Sequence, residues 1–180
     1  MTGTPEELRA RYQPRDVRVL FVGESPPAGG TFFYAANSKL YAATRSAFFA
    51  AVSELLNEPF LESFAALGCY LDDLCLRPVN HLKLSILDQK RERLAERRAG
   101  EAALAERMQG LNPDAIVMVM SGIEENVRRA ATAARMPDRV LAVLPFPGRP
   151  EHLRRFDAGL QEVLVGLKET GVLTARGPLS

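Results

Sequence analysis

A chain of 180 residues with 47% hydrophobic and 25% charged residues has the size and make-up of one globular domain with a buried core. Its 23 Lys+Arg against 22 Asp+Glu leave a formal charge of +1, which excludes nucleic-acid binding driven by overall charge and leaves that task to a local basic patch. No apolar run approaches the ~20 residues of a membrane span, and the N-terminus has neither the n-region nor the h-region of a signal peptide, so the expectation is a cytoplasmic protein with no membrane partner.

In chain order, Thr4 followed by Pro5 predicts an N-capped helix over 5–12. The run VRVLFVG over 17–23 reads as the first strand. Leu40, Ala43, Ala47, Ala50, Ala51 and Leu55 recur at helical spacing, which predicts a long helix over 38–56 capped by Asn37 or Ser38. A shorter helix over 61–67 ends at Gly68, a natural left-handed cap. CYLDDL (69–74) is the second strand. A helical stretch over 85–108, interrupted near Gly100, mixes Arg91, Glu92, Arg93, Glu96, Arg97 and Arg98 and reads as a solvated face. DAIVMVMSG (114–122) is a continuous apolar run of the kind covered on both sides. A helix over 123–135, a fourth strand over 139–146, a proline-rich loop and a last helix over 150–170 complete the pattern, and 171–180 reads as a loose tail.

Alternating strands and helices predict an α/β fold: a three-layer α/β/α sandwich with a four-stranded parallel sheet, one domain over 1–180 with its core over about 17–170. In such folds the site lies at the carboxyl ends of the strands. Those ends carry Gly23-Glu24-Ser25-Pro26, Asp72-Asp73, Ser121-Gly122 and Pro145-Phe146-Pro147-Gly148, so one rim gathers three carboxylates, several prolines and aromatic rings. Cys69 and Cys75 have no zinc or iron–sulfur spacing and no histidine or cysteine cluster beside them; they read as two reduced thiols, with neither metal nor cofactor expected.

Four of these segments together resemble the uracil-DNA glycosylase superfamily. VLFVGESPPAGGTFF resembles its first motif, closest to the Gly-Glu-Ala-Pro form of the bacterial and archaeal iron–sulfur classes, with Gly30, Phe33 and Leu40 where those classes have Gly, the uracil-stacking Phe and Leu. YLDDLCLRPVN is similar to the strand-two motif, LNPDAIVMVMSGIEENV to the third-strand segment, and LPFPGRPEH occupies the place of the loop that enters the DNA minor groove. This chain departs from the pattern in four ways. Two cysteines replace the four of the cluster, and the uracil-reading Asn falls at Asp72, or at Asp73 with a one-residue slip. The His of the last motif falls at Leu144, and Ser25 stands where other classes have a catalytic Asp or Asn.

The resemblance implies a DNA glycosylase acting on a damaged or deaminated base. Hydrolysis of an N-glycosidic bond passes through an oxocarbenium-like sugar, needs a group that orients water, and requires the base to leave the helix. Glu24, held by the stiff Pro26-Pro27 segment, is the candidate for water; Asp72 is the candidate edge reader, with Asp72 or Asp73 as alternative water-orienting groups. An ionised aspartate only accepts hydrogen bonds, which suits an exocyclic amino group better than the O4 of uracil. Gly23, Ser25, Phe33 and Asp73 complete the base site. Pro145, Phe146, Pro147, Gly148, Arg149 and His152 form the DNA-engaging segment, with Phe146 as an apolar wedge and Arg154 and Arg155 adding phosphate contacts. His152 and His81 are equal candidates to replace the missing histidine. No lysine near the pocket motifs is placed to serve as a Schiff-base nucleophile, Lys39 at the start of the first long helix being the nearest exception, so a monofunctional enzyme is expected, as a monomer. Two alternatives stand beside it: a nucleic-acid-binding protein that kept the fold and lost the chemistry, and a hydrolase of free nucleosides.

Overall fold

A computed structural model describes residues 3–79 and 86–174. Four short strands, β1 (Val19–Gly23), β2 (Cys69–Asp73), β3 (Ala115–Met118) and β4 (Val140–Val143), form one parallel sheet in the order β2-β1-β3-β4. Parallel neighbours require crossovers, and the helices supply them: α1 (Pro5–Arg11), α2 (Lys39–Val52), α3 (Phe60–Ala66), α4 (Ile86–Leu111), α5 (Glu124–Ala133) and α6 (Pro150–Glu169). α2 packs along α6 and α4 along α5, giving a three-layer α/β/α sandwich. β1, β2 and β3 are buried throughout, as strands covered on both faces must be.

The register places Val19 between Cys69 and Ala115, and Gly23 beside Asp73. β1 and β2 therefore end side by side, and the carboxyl groups at their ends, Glu24 just after β1 and Asp73 closing β2, share one rim. Aromatic packing fixes the covering helices: Phe21 of β1 meets Phe64 of α3 at 5.4 Å, and Phe48 of α2 meets Phe60 at 5.5 Å between ring centroids. Each such ring contributes about 2–3 kcal/mol on burial. The caps follow the local chemistry. Thr4 and Glu7 form a reciprocal capping box, and Ser38, not Asn37, caps α2 by accepting from the Tyr41 amide. Gly68 has φ of +76°, and a Cβ there would lie 2.8 Å from the Arg18 side chain.

Three expectations change. The charged stretch is a single helix that passes through Gly100 without interruption, because a Cβ at 100 would lie 2.6 Å from the Leu74 carbonyl oxygen and glycine permits that contact inside a continuous helix. The third strand stops at Met118, and 121–123 form a short 3-10 turn. The segment just past α6 is tied down: Leu173 is buried and its amide donates to the Leu167 carbonyl, while Arg18 donates to the carbonyl of Gly171. The remainder of the expected tail, 175–180, lies outside the described residues. Among those residues, no helix is long and apolar enough to cross a membrane.

Candidate functional site

The chain leaves β1 through Gly23, Glu24 and Ser25, and the segment after β2 stays paired to it. The Leu74 amide donates to the Gly23 carbonyl at 2.9 Å and the Cys75 amide to the Glu24 carbonyl at 2.8 Å. The Ser25 hydroxyl accepts from the Val79 amide at 3.4 Å. This clamp fixes one wall of a pocket of about 570 Å³, within the usual range for ligand sites. Val119 and Met120 line it from the end of β3, and Phe32, Phe33 and the start of α2 close the other side. Phe33 is packed edge-on against Tyr34 and Tyr41, at 5.1 and 5.9 Å, so its ring has a fixed orientation. Asn37 is spent on the turn that delivers these rings: its Oδ1 accepts from the Phe32 amide at 2.7 Å.

Two carboxyls reach the pocket, and their surroundings oppose each other. Glu24 is 8% exposed. Burial pushes its carboxyl up, but hydrogen bonds from Arg93 and the charges of Arg97 and Arg93 outweigh that and hold it below the ordinary range. The Nε atoms of Arg93 and Arg97 each donate to Oε1 at 2.6 Å, and Arg93 Nη2 donates to Oε2. Asp73 is 4% exposed. Burial pushes it up to about 7; the Arg9 guanidinium, 2.6 Å from its Oδ2, pulls down and the neighbouring Asp72 pushes up again. At neutral pH the first is a fixed anion inside an arginine clamp, and the second stands near its titration midpoint.

Asp72 does not line the pocket. Its Oδ2 accepts from Arg107 Nε at 2.6 Å and its Oδ1 from the Asp73 amide at 2.8 Å, so its carboxylate is consumed by a buried network under α4. Adjacent strand residues project to opposite faces, and of the acidic pair it is Asp73 that meets the cavity. Leu144 is buried, with its side chain 2.8 Å from where a Cβ on Gly159 of α6 would stand. It therefore packs under α6.

No protein-family model matches the chain, and no curated protein matches it.

Of the proline-rich loop, Phe146 is 40% exposed and lines the pocket mouth. The Gly148 amide donates to the Phe146 carbonyl at 2.8 Å, and Lys39 Nζ donates to the Gly148 carbonyl at 3.5 Å. Pro145 is half-buried and Pro147 buried; Arg149 is exposed just before α6, and His152 is half-buried in its first turn, away from the pocket. Arg154 and Arg155 are exposed on the same helix. His81 lies outside the described residues. Cys69 and Cys75 are free, buried thiols whose ionisation is pushed up by burial, which makes both poor nucleophiles. Among the described residues, no group of three or more His, Cys, Asp or Glu side chains is placed to hold a metal ion.

Sequence reading missed the arginines. Arg93, Arg97 and Arg107 belong to the charged stretch whose mixed signs predict a solvated face, yet Arg97 and Arg107 have buried partners and Arg93 lines the pocket. A signal for them exists: 93, 97, 100, 104 and 107 fall on one helical stripe that also holds Gly100 and the buried Leu104.

Proposed function

We propose that the protein is a monofunctional DNA glycosylase, similar in kind to the uracil-DNA glycosylase superfamily, that hydrolyses the N-glycosidic bond of a damaged or deaminated base flipped into this pocket. The observation that carries the reading is the meeting, on one cavity, of the Phe32 and Phe33 rings with the buried Asp73 carboxyl, which stands at about 7. A flipped base needs an aromatic platform. Its hydrolysis needs a carboxylate that orients water beside a sugar gaining positive charge, and a carboxyl poised near neutrality is suited to take that water's proton.

In the reaction, water adds to the sugar C1′ as the C1′–N bond breaks. The bonding pair leaves with the base, and Asp73 receives the proton the water loses. Glu24, Arg93 and Arg97 form a unit with one excess positive charge. Arg93 at the pocket wall stabilises the electron pair departing on the base, and Glu24 holds that guanidinium in place. Phe146 and the exposed arginines of 149–155 engage the DNA strand.

A second reading, DNA binding without base release, is favoured by one observation: among the described residues, every hydrogen bond to the Glu24 carboxylate comes from arginine, as in a purely structural pair. Labelled single- and double-stranded oligonucleotides carrying uracil, hypoxanthine, xanthine or mismatches distinguish the two. The glycosylase reading expects release from at least one lesion, reduced about 100-fold or more by Asp73→Asn and reduced also by Glu24→Gln. DNA binding with no release from any lesion supports the second reading. Release from free nucleosides alone, without DNA binding, transfers the chemistry to a small-molecule hydrolase.

A further inference from the structure

α1 is a short helix at the edge of the fold, yet it delivers an arginine that is only 7% exposed. Arginine is almost never buried to that degree without a partner. Arg9 Nη2 donates to Asp73 Oδ2 at 2.6 Å, and its Cζ lies 5.6 Å from the centre of the Phe32 ring. One guanidinium thus touches both the carboxyl and one of the rings that the proposed chemistry uses. The helix is anchored beside them by Tyr12, which stacks on Tyr34 at 5.6 Å with the rings 8° from parallel; the Tyr34 hydroxyl in turn donates to the Leu71 carbonyl.

Structural pairing alone accounts poorly for this arrangement. Among the described residues the buried Arg9 Nε has no hydrogen-bond partner, and it lies 3.8 Å from Asp72 Oδ1. Asp72 already has Arg107 and the Asp73 amide. A buried ion pair with a donor left over is an arrangement that apolar packing commonly replaces at no loss of stability. What apolar packing cannot supply is a positive charge directed at Asp73.

We infer that Arg9 is a positioning residue for the proposed hydrolysis, holding the Asp73 carboxyl toward the pocket in its ionised form and fixing Phe32 beside it. The inference rests on the glycosylase reading. Among the described residues, few groups face Asp73. α1 contributes Arg9. The strand itself contributes Asp72 and Tyr70, with Cys75 just beyond. α4 contributes Arg107, whose Nη2 donates to the Asp73 carbonyl at 2.7 Å; β1 contributes Gly23, followed by Glu24 in its clamp. Against burial and Asp72, Arg9 is the largest influence keeping the proton off.

The test is a carbon-detected NMR titration of the Asp73 carboxyl in the folded protein, run beside the pH–rate profile of base release, for the unmodified chain, Arg9→Met and Arg9→Lys. Arg9→Met is expected to raise the Asp73 midpoint by about one pH unit or more. A one-unit rise from about 7 lowers the ionised fraction at pH 7 about fivefold; base release at pH 7 falls to match and recovers by about pH 9. Arg9→Lys, which keeps the charge, restores most of both. Arg9→Gln keeps a donor and part of the stem, and gives the same comparison where Arg9→Met does not fold. An unchanged Asp73 midpoint in a folded neutral variant overturns the inference, as does a loss of release that is equal at every pH. No base release from the unmodified chain overturns the glycosylase reading alone, and the titration still decides whether Arg9 controls Asp73.

Discussion

Gly23 and Asp73 are register partners at the ends of β1 and β2, and the space a side chain would take at 23 is already filled. A Cβ on Gly23 would lie 2.5 Å from Asp73 Oδ1. Gly23→Ala must therefore push the Asp73 carboxyl off its Arg9 contact. Expected are a loss of about 1–3 kcal/mol in urea unfolding and a displaced Asp73 titration. The same carboxyl gives stability a pH dependence whose sign is fixed by its direction of shift. Its ordinary value is 3.8 and its folded value about 7. Between the two, the native state keeps a proton that the unfolded chain has lost, so this group's contribution falls as pH rises through that window. Over three units the change is on the order of 4 kcal/mol, at 1.36 kcal/mol per unit. Glu24 acts oppositely: its stabilisation is present above the ordinary glutamate range and is lost as pH falls through the depressed folded value. Asp73→Asn is expected to flatten the decline between about pH 4 and pH 7 while leaving the acid limb; an undiminished decline in that variant would assign it to other groups.

At the scale of elements, α4 determines how the site is held. It carries Arg93 and Arg97 to Glu24 at one end and Arg107 to Asp72 at the other, and between them Gly100 sits against the Leu74 backbone. Gly100→Ala would ordinarily favour a helix by about 1 kcal/mol. Here the added Cβ meets a carbonyl oxygen at 2.6 Å, and the neighbour is backbone that cannot swing away. The helix must lift, and both ends of its arginine set lift with it. A net loss of about 1–3 kcal/mol in urea unfolding is expected, with weakened base release; a stabilised variant would mean that α4 does not bear on the rim. This element was the least legible in the sequence. β1 and β3 announce themselves as apolar runs, and the strand ends marked the rim where Glu24, Asp73 and Phe33 do meet. α4 has no apolar stripe along most of its length, because its inward contacts are made by guanidinium groups and a glycine, and hydrophobic periodicity does not register charged residues that face in. Nor could composition choose between Asp72 and Asp73: side-chain direction alternates along a strand, and a one-residue difference in register exchanges the buried network for the pocket.

For the molecule as a whole, a formal charge of +1 sets what binding can look like. A protein without a general positive field can hold a nucleic acid only where its charges are concentrated, and the proposed strand contacts are the exposed Arg149, Arg154 and Arg155 at the start of α6. Each phosphate neutralised on duplex DNA contributes about −0.9 to the slope of log K against log salt, so three contacts give a slope near −3, far shallower than that of a strongly basic DNA-binding protein. Phe146 contributes differently. Its ring lies over the position a Gly148 Cβ would take, 3.1 Å away, and it borders the cavity without a charge of its own. An apolar ring that fills the gap left by a flipped base adds affinity and leaves no counterion signature. Fluorescence anisotropy on a lesion-bearing duplex across a salt series separates the two contributions. Arg154→Ala with Arg155→Ala is expected to bring the slope to about −1. Phe146→Ala is expected to weaken binding about tenfold or more at every salt concentration, at unchanged slope. A salt-independent affinity that Phe146→Ala leaves alone would place the natural substrate among small molecules, since a free nucleoside has no strand to contact either feature.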